Sequence, residues 1–390
     1  MPPPSGRHGR AAGGPIARWR RCRRRSCDTL CQHCVVLTQG QPLAAHLSAP
    51  AHLATPLRAW VLTVLWLLAA PLAAARCPGL ALVLQPLAPG VWWLPSALGD
   101  SDAGNRGQVS NIVLVRDGRG RQARLWALGS GPSPAFGRAL ACQVQRQLGQ
   151  PVREVVSPWA RPELVLGVTG LRAAAPRHAP VRHWAHAAVA DAMAAQCPQC
   201  VQRLRQRLGD AAADLGAAPI HLPEHLLQGE QGVLGPFHWW RLPRAAGRWV
   251  TVWRVAPAGA PAVWLAHGLL QGAGPPDGRD ADLALLQQSS RQLADLAAAD
   301  GPAVRFVGEQ GPLLPSGAPA VHAAYWTGLL EAARAAVERG DDETASAPGW
   351  PGLPAGWQAQ PWHAINWQRA WRQVEPEVLA APPAPAASRP

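Results

Sequence analysis

The uncharged stretch at 59–75, Ala-Trp-Val-Leu-Thr-Val-Leu-Trp-Leu-Leu-Ala-Ala-Pro-Leu-Ala-Ala-Ala, does most to constrain this chain. It separates an arm with no means of building a core from a body that has them. Arg58 precedes it and small residues end it. A basic flank, an apolar centre and an Ala-x-Ala end are the grammar of an export signal. The stretch is at the short limit for a spanning helix, and Pro71 with the small residues behind it favours cleavage near Ala75. The expectation is a periplasmic body that begins at about Cys77. The alternative is an uncleaved inner-membrane anchor over 58–76, its Arg-rich side in the cytoplasm as the positive-inside rule prefers. Arg76 before Cys77 argues against a lipoprotein, which needs a small residue there. A signal opening at residue 58 sits oddly behind 57 residues, and a start near Leu57 would explain it.

Residues 1–57 are rich in Pro, Gly and Arg, lack hydrophobic periodicity and read as disordered. They hold eight Arg and one Asp, which is +7 of the total +13 and leaves +6 for the rest. A net charge of +13 spread over a body would suggest nucleic acid. Concentrated in one arm it does not, and no nucleic-acid partner is expected. The chain has no lysine, so all 37 basic residues are Arg, and 19 Trp stand against one Tyr. That is the imprint of a GC-rich coding sequence, so abundance of Arg or Trp is no functional signal by itself.

The body, 77–340, alternates strand and helix signals. Val91–Leu94, Ser110–Val115, Arg124–Leu128, Val152–Val156, Val250–Arg254, Ala262–Leu265 and Val304–Val307 read as strands. Ala135–Leu148, Val181–Leu208 apart from Pro198, Asp280–Ala298 and Ala320–Arg339 have helical spacing. Strands in runs with helices between them predict an α/β (α+β) body of layered sheets flanked by helices. Residues 341–390 read as a linker, a short helix at Asn366–Glu375 and a Pro/Ala tail.

Several segments, in order, resemble one branch of the metallo-β-lactamase superfamily, the periplasmic zinc hydrolases associated with quinoprotein dehydrogenase systems. They are Gly90–Pro95, Asn105–Asn111, the turn Gly129-Ser130-Gly131-Pro132-Ser133, Val155–Gly167, the pair Cys197 and Cys200, and Asn366–Glu375. The similarity covers about 83–375. It implies a four-layer αβ/βα sandwich with a zinc site at one edge. The family motif is His-x-His-x-Asp-His, because zinc needs a tetrahedral set of N, S or O donors with one place for the water it activates.

The motif is where this chain departs. Trp159 and Arg161 stand at the first two His, Glu163 at the Asp and Leu164 at the last His. Gly129 replaces the Asp of the turn, Ala245 and Gly268 fall at later ligand positions, and Gln310 stands at the His of the late Gly-His-Gly-Pro. Only Glu163 keeps a good donor, and Arg161 adds a charge that opposes a cation. No metal and no catalytic residue is therefore expected. The predicted function is a non-catalytic periplasmic binding or accessory protein, with a periplasmic dehydrogenase system as candidate partner. The alternative is an active hydrolase whose zinc is held by an altered site built from Glu163, His267 or His238.

Other constellations are weaker. Cys22, Cys27, Cys31, His33 and Cys34 match no common zinc spacing. Cys197-Pro198-Gln199-Cys200 reads as a local structural disulfide rather than a redox pair. Cys77 and Cys142 either pair or stay apart. His178, His183 and His186, and separately His221 and His225, have spacings that would suit a replacement metal site, but scattered histidines are the preferred reading. Trp159, Trp239, Trp240 and Trp253 are expected in core packing ahead of a ligand pocket. No Gly-x-Ser-x-Gly elbow or phosphate loop is present, which leaves serine-hydrolase and nucleotide chemistry without support.

Overall fold

The computed structural model describes Cys77 and residues 80–217 and 220–380. The arm with its cysteine run, the apolar stretch at 59–75 and the Pro/Ala tail lie outside the described residues. Among those described, no helix is long and apolar enough to cross a membrane.

The first sheet runs in chain order through β1 (Gln85–Ala88), β2 (Val91–Leu94), β3 (Ile112–Asp117), β4 (Arg124–Leu128), β5 (Val152–Val156), β6 (Arg182–His186) and β7 (His225–Leu227). The pairs from β1 to β4 are antiparallel, and those from β4 to β7 are parallel. Parallel neighbours need a crossover. It is supplied after β4 by α1 (Pro134–Leu148), after β5 by α2 (Pro162–Val165) and α3 (Val168–Ala174), and after β6 by α4 (Ala187–Leu208). The second sheet has the order β12-β11-β10-β9-β8, from β8 (Gln231–Leu234), β9 (Phe237–Ala245), β10 (Arg248–Val255), β11 (Val263–Leu265) and β12 (Arg305–Val307). Its one parallel pair, β11 with β12, is spanned by α5 (Leu283–Ala297). Two helices follow, α6 (Ala318–Arg339) and α7 (Pro361–Ala380).

Side-chain alternation along β3 sets the layers. Val113 and Val115 face the second sheet and meet Phe237, Trp253 and Leu265 there. Ile112 and Leu114 face the other way, against Phe136 and Leu140 of α1 and Leu171 of α3. Both faces are covered, so the strand reads as an unbroken apolar run. On the far side Val250, Val252 and Trp264 pack under α5, α6 and α7. The result is the four-layer αβ/βα sandwich.

Local chemistry fixes α1. Ser133 Oγ accepts from the Phe136 N–H at 3.1 Å, Pro134 opens the helix and Gly149 closes it at φ 72°. The Cys77–Cys142 disulfide ties the start of the body to this helix, which resolves the pairing left open above.

Several elements differ from expectation, and β1, β7, α2 and α3 are not among the expected elements. The segment expected as one helix from Val181 is the strand β6 followed by α4, because Arg182, His183 and Trp184 pair with β5. The hairpin of β8 and β9, turned at Gly235-Pro236, has no counterpart among the expected strands. The C-terminal helix is longer than Asn366–Glu375, and its Trp367, Trp371 and Val374 belong to the same apolar cluster as α5 and α6.

Candidate functional site

The loop Ser157–Arg161 leaves the C-terminal end of β5 and enters α2. The segment after it, from Leu164 to Gly167, is held against the 129–133 turn by backbone. Ser130 N donates to Leu164 O at 2.7 Å and Gly167 N to Gly131 O at 2.9 Å. Gly167 makes this approach possible, since a Cβ there would stand 1.9 Å from Ser130 O. From the other side, Asn111 Nδ2 donates to the carbonyls of Gly308 and Gly311, each at 3.1 Å. That fixes the loop carrying Glu309 and Gln310 against the first sheet.

Each position the resemblance marks for a ligand has a different occupation. Leu164 is fully buried among Val165, Val189 and Met193. It lies against Gly129, where a Cβ would fall 2.6 Å from Leu164 Cδ1. Two positions that the resemblance marks for donors thus form one close-packed apolar contact. Gly268 has φ +77°, and a Cβ there would meet Val250 at 2.9 Å and Trp159 at 3.2 Å. Gln310 spends its amide on the fold: Oε1 accepts from Gly99 N at 3.0 Å and Nε2 donates to Gly99 O at 2.8 Å. Ala245 ends β9 beside Arg248.

At the centre stands Arg161. Its Nε is 3.4 Å from Glu163 Oε2 and 3.7 Å from Glu309 Oε1, and its Nη1 is 3.8 Å from Asp277 Oδ2. Burial opposes the charge, but Glu163, Glu309 and Asp277 outweigh it and hold the guanidinium protonated. Their remaining oxygens are engaged. Glu163 Oε1 accepts from Ser101 Oγ at 2.8 Å, and Glu309 Oε2 accepts from Trp159 Nε1 and from Gly268 N, both at 3.0 Å. Asp277 is bonded to Arg279. Burial pushes the Asp277 carboxyl up, and Arg161, Arg279 and Arg244 pull it below its ordinary value. Arg244 is buried, donates to the carbonyls of Gly268 and Asp277, and stacks over Trp159 with its Cζ 4.7 Å from the ring centroid. Its Nε has no partner among the described residues.

These residues do not fit a zinc ion. The carboxylates already serve guanidinium, indole, hydroxyl and backbone donors, and three cations (Arg161, Arg244 and Arg279) crowd the space. Sequence alone does not single out Glu309 and Arg244, because each is the immediate neighbour of a position that the resemblance marks, Gln310 and Ala245. The signal available was a charged residue beside a position that the resemblance marks for a ligand.

Arg161, Glu163 and Asp277 of this cluster, with Arg244 and Arg279, line a cleft of about 440 Å³. Six arginines line it, Arg161, Arg203, Arg207, Arg244, Arg248 and Arg279, against Glu163, Asp277 and Asp280. Trp159 is in the wall, whereas Trp239 and Trp253 are buried between the sheets and Trp240 stacks on Trp264 at 5.0 Å. Cys197 and Cys200 are free thiols, which corrects the expected disulfide. Both lie on the continuous helix α4, where side chains three apart sit about 5–6 Å apart at Cβ, more than a disulfide spans. Cys197 is buried, and burial pushes its thiol up to about 12. Cys200 lines the cleft.

The residues of the altered-site reading stay apart. His267 is in the core with Nε2 2.7 Å from Asn111 O, and His238 is exposed on β9. Both histidine groups of the sequence are split. His178 is exposed, His186 caps α4 by accepting from Ala188 N at 3.1 Å, and His225 stacks on Trp184 at 4.4 Å. One member of each group, His183 and His221, meets Glu224. Among the described residues this is the one set of His, Cys, Asp or Glu whose ligand atoms converge, all within 4.8 Å.

No protein-family model and no curated protein matches the chain. Solved structures do. A β-lactamase domain protein from Burkholderia ambifaria superposes with a TM-score of 0.50 at 19% identity, over 75% of this chain and 90% of that one. The mono-zinc form of a metallo-β-lactamase from Pseudomonas aeruginosa gives a TM-score of 0.48 at 17% identity, over 64% and 96%. A metallo-β-lactamase from Hirschia baltica gives 0.46 at 12%, over 63% and 97%. The chain has the metallo-β-lactamase fold.

Proposed function

We propose that this protein is a non-catalytic, periplasmic binding or accessory protein that has kept the metallo-β-lactamase fold and replaced its metal centre with an internal ion cluster. The observation that carries the reading is Arg161, whose guanidinium lies among Glu163, Glu309 and Asp277. A fixed side-chain cation there does the electrostatic work of balancing buried carboxylates, but it has no open coordination position at which water could be activated.

The cleft above the cluster suits an organic anion. Six arginines against three carboxylates leave an excess of +3 in its lining. Arg203, Arg207 and Arg248 have no carboxylate within salt-bridge distance among the described residues. Guanidinium groups in a concave site favour carboxylate or phosphate ligands through paired N–H donors. The export grammar of 58–76 supports the periplasmic setting, and the segments that resemble the quinoprotein-associated branch support a dehydrogenase system as partner.

The alternative is a working zinc hydrolase with an altered site, for which Glu163 is the one retained donor in the cleft. Assays of the zinc-supplemented protein on ester, lactam and thioester substrates separate the two. The expected result is no zinc-dependent turnover. Turnover that requires zinc and disappears in Glu163→Gln would overturn the non-catalytic reading.

A further inference from the structure

We propose that His183, His221 and Glu224 form a binding site for a divalent transition metal of the zinc class, set at the β6–β7 edge of the first sheet. None of the three lines the cleft, and none occupies a position marked by the family motif, so the inference stands apart from the functional reading above.

The geometry is close to what such an ion requires. Two Zn–N bonds of about 2.0–2.1 Å at a tetrahedral angle place their nitrogens about 3.3–3.4 Å apart. His183 Nδ1 and His221 Nδ1 are 3.3 Å apart. Glu224 Oε2 is 3.8 Å from His221 Nδ1, a gap that a small side-chain rotation closes. The three donors come from two places in the chain that the sheet brings together, β6 and the approach to β7.

The surroundings hold each donor in the form a metal needs. His183 is fully buried, and its Nε2 is 2.8 Å from Ser157 Oγ. With a metal on Nδ1 the ring proton sits on Nε2 and is donated to Ser157 Oγ, the outer contact that commonly fixes a ligating imidazole. Glu224 uses Oε1 for Arg172 Nη1 at 2.6 Å, so the carboxylate is oriented with Oε2 toward His221. The Arg172 charge works against a cation, and the orientation it imposes works for one. Without metal, one imidazole Nδ1–H donates to the other. With metal, His221 carries its proton on Nε2, and no net proton is released. His221 and Glu224 are partly exposed, with side-chain exposures of 27% and 37%, which gives solvent a route to the fourth position. Two imidazoles and one carboxylate select zinc, cobalt, nickel or copper over magnesium and calcium.

The test compares the full-length protein with His221→Ala and Glu224→Gln after equilibration with zinc and removal of the excess, with metal counted by elemental analysis. Cobalt substitution supplies an independent signature in the visible d–d bands of a four-coordinate site. Because His221 is partly exposed, its truncation leaves the core intact, and a thermal melt in chelator confirms that. The expected result is one zinc fewer per chain in His221→Ala than in the native protein, loss of the cobalt bands, and affinity at least about tenfold weaker in Glu224→Gln. Equal zinc content in the native protein and His221→Ala, or unchanged cobalt bands, would overturn the site. Either failure leaves the cleft reading untouched, because hydrolysis dependent on Glu163 is measured separately.

Discussion

At the scale of single residues, one side chain organises the site. Arg161 brings a permanent cation to a place where three carboxylates, Glu163, Glu309 and Asp277, approach one another. Removing one partner of a buried ion pair costs about 3–5 kcal/mol because the other charges stay buried. Arg161→Met should therefore lower unfolding free energy by about that amount in urea titrations, and a loss below about 1 kcal/mol would show the cluster to be incidental. His322 gives a second, pH-dependent expectation. It is buried on the inner face of α6, its Nδ1 is 2.9 Å from Ala318 O and its Nε2 accepts from Gln271 N at 3.1 Å. Burial pushes its pKa down from the ordinary 6.5 to about 4. The unfolded chain takes up this proton first, so stability is full above pH 6.5 and falls as pH drops from 6.5 toward 4. The slope is at most about 1.4 kcal/mol per pH unit for this group. His322→Gln should flatten that limb in melts recorded across the range. Sequence drew attention to Arg161 and Leu164 because the resemblance expects His at both positions. It was silent on Glu309 and Arg244, whose roles depend on which neighbours the fold brings within 4 Å.

At the scale of elements, close backbone approach fixes the segment directly after the loop that carries Trp159 and Arg161. Gly167 sits where any Cβ would meet Ser130 O at 1.9 Å. Gly137 of α1 is as tight, with Gly167 O 2.0 Å from the place of a Cβ. Gly167→Ala should cost about 1–3 kcal/mol through forced backbone shifts, read as a lower melting temperature, while an unchanged melt would mean the segment is not held there. The Cys77–Cys142 bond closes a loop of 65 residues. On the chain-entropy estimate Cys142→Ala should lose about 4 kcal/mol in non-reducing buffer, and equal stability of variant and native protein would contradict that role. The strands and helices with strong periodicity, β2 to β5 and α5 to α6, were legible because apolar spacing alone determines them. Fusing β6 into α4 was an error of period: the alternation Arg-His-Trp-Ala-His is too short to stand out before a long helical pattern. The β8–β9 hairpin was lost for a similar reason. Its Gly232 and exposed Val233 dilute the pattern, and its register follows from pairing with β10.

At the scale of the whole molecule, the sandwich places a basic cleft where the fold has its edge, with β10, α4 and the Ser157–Arg161 loop around it. If that cleft serves an anion, citrate and pyrophosphate should bind with affinity that falls steeply with salt, and Arg207→Gln should weaken binding about tenfold in calorimetry. Arg207 is exposed, so the change tests the ligand rather than the core. Binding that is insensitive to both salt and Arg207 would place the ligand elsewhere. The four-layer arrangement was legible through the order of several short segments, none of which suffices alone. The charge of the cleft was not, because a GC-rich sequence scatters arginine everywhere and only the fold shows which guanidinium groups converge. The most direct measurement is a zinc-edge anomalous difference map from crystals grown with zinc. The account predicts no peak within bonding distance, about 2.0–2.2 Å, of Glu163, Glu309 or Asp277. A peak there, with Arg161 swung aside, would contradict the replacement of metal by guanidinium.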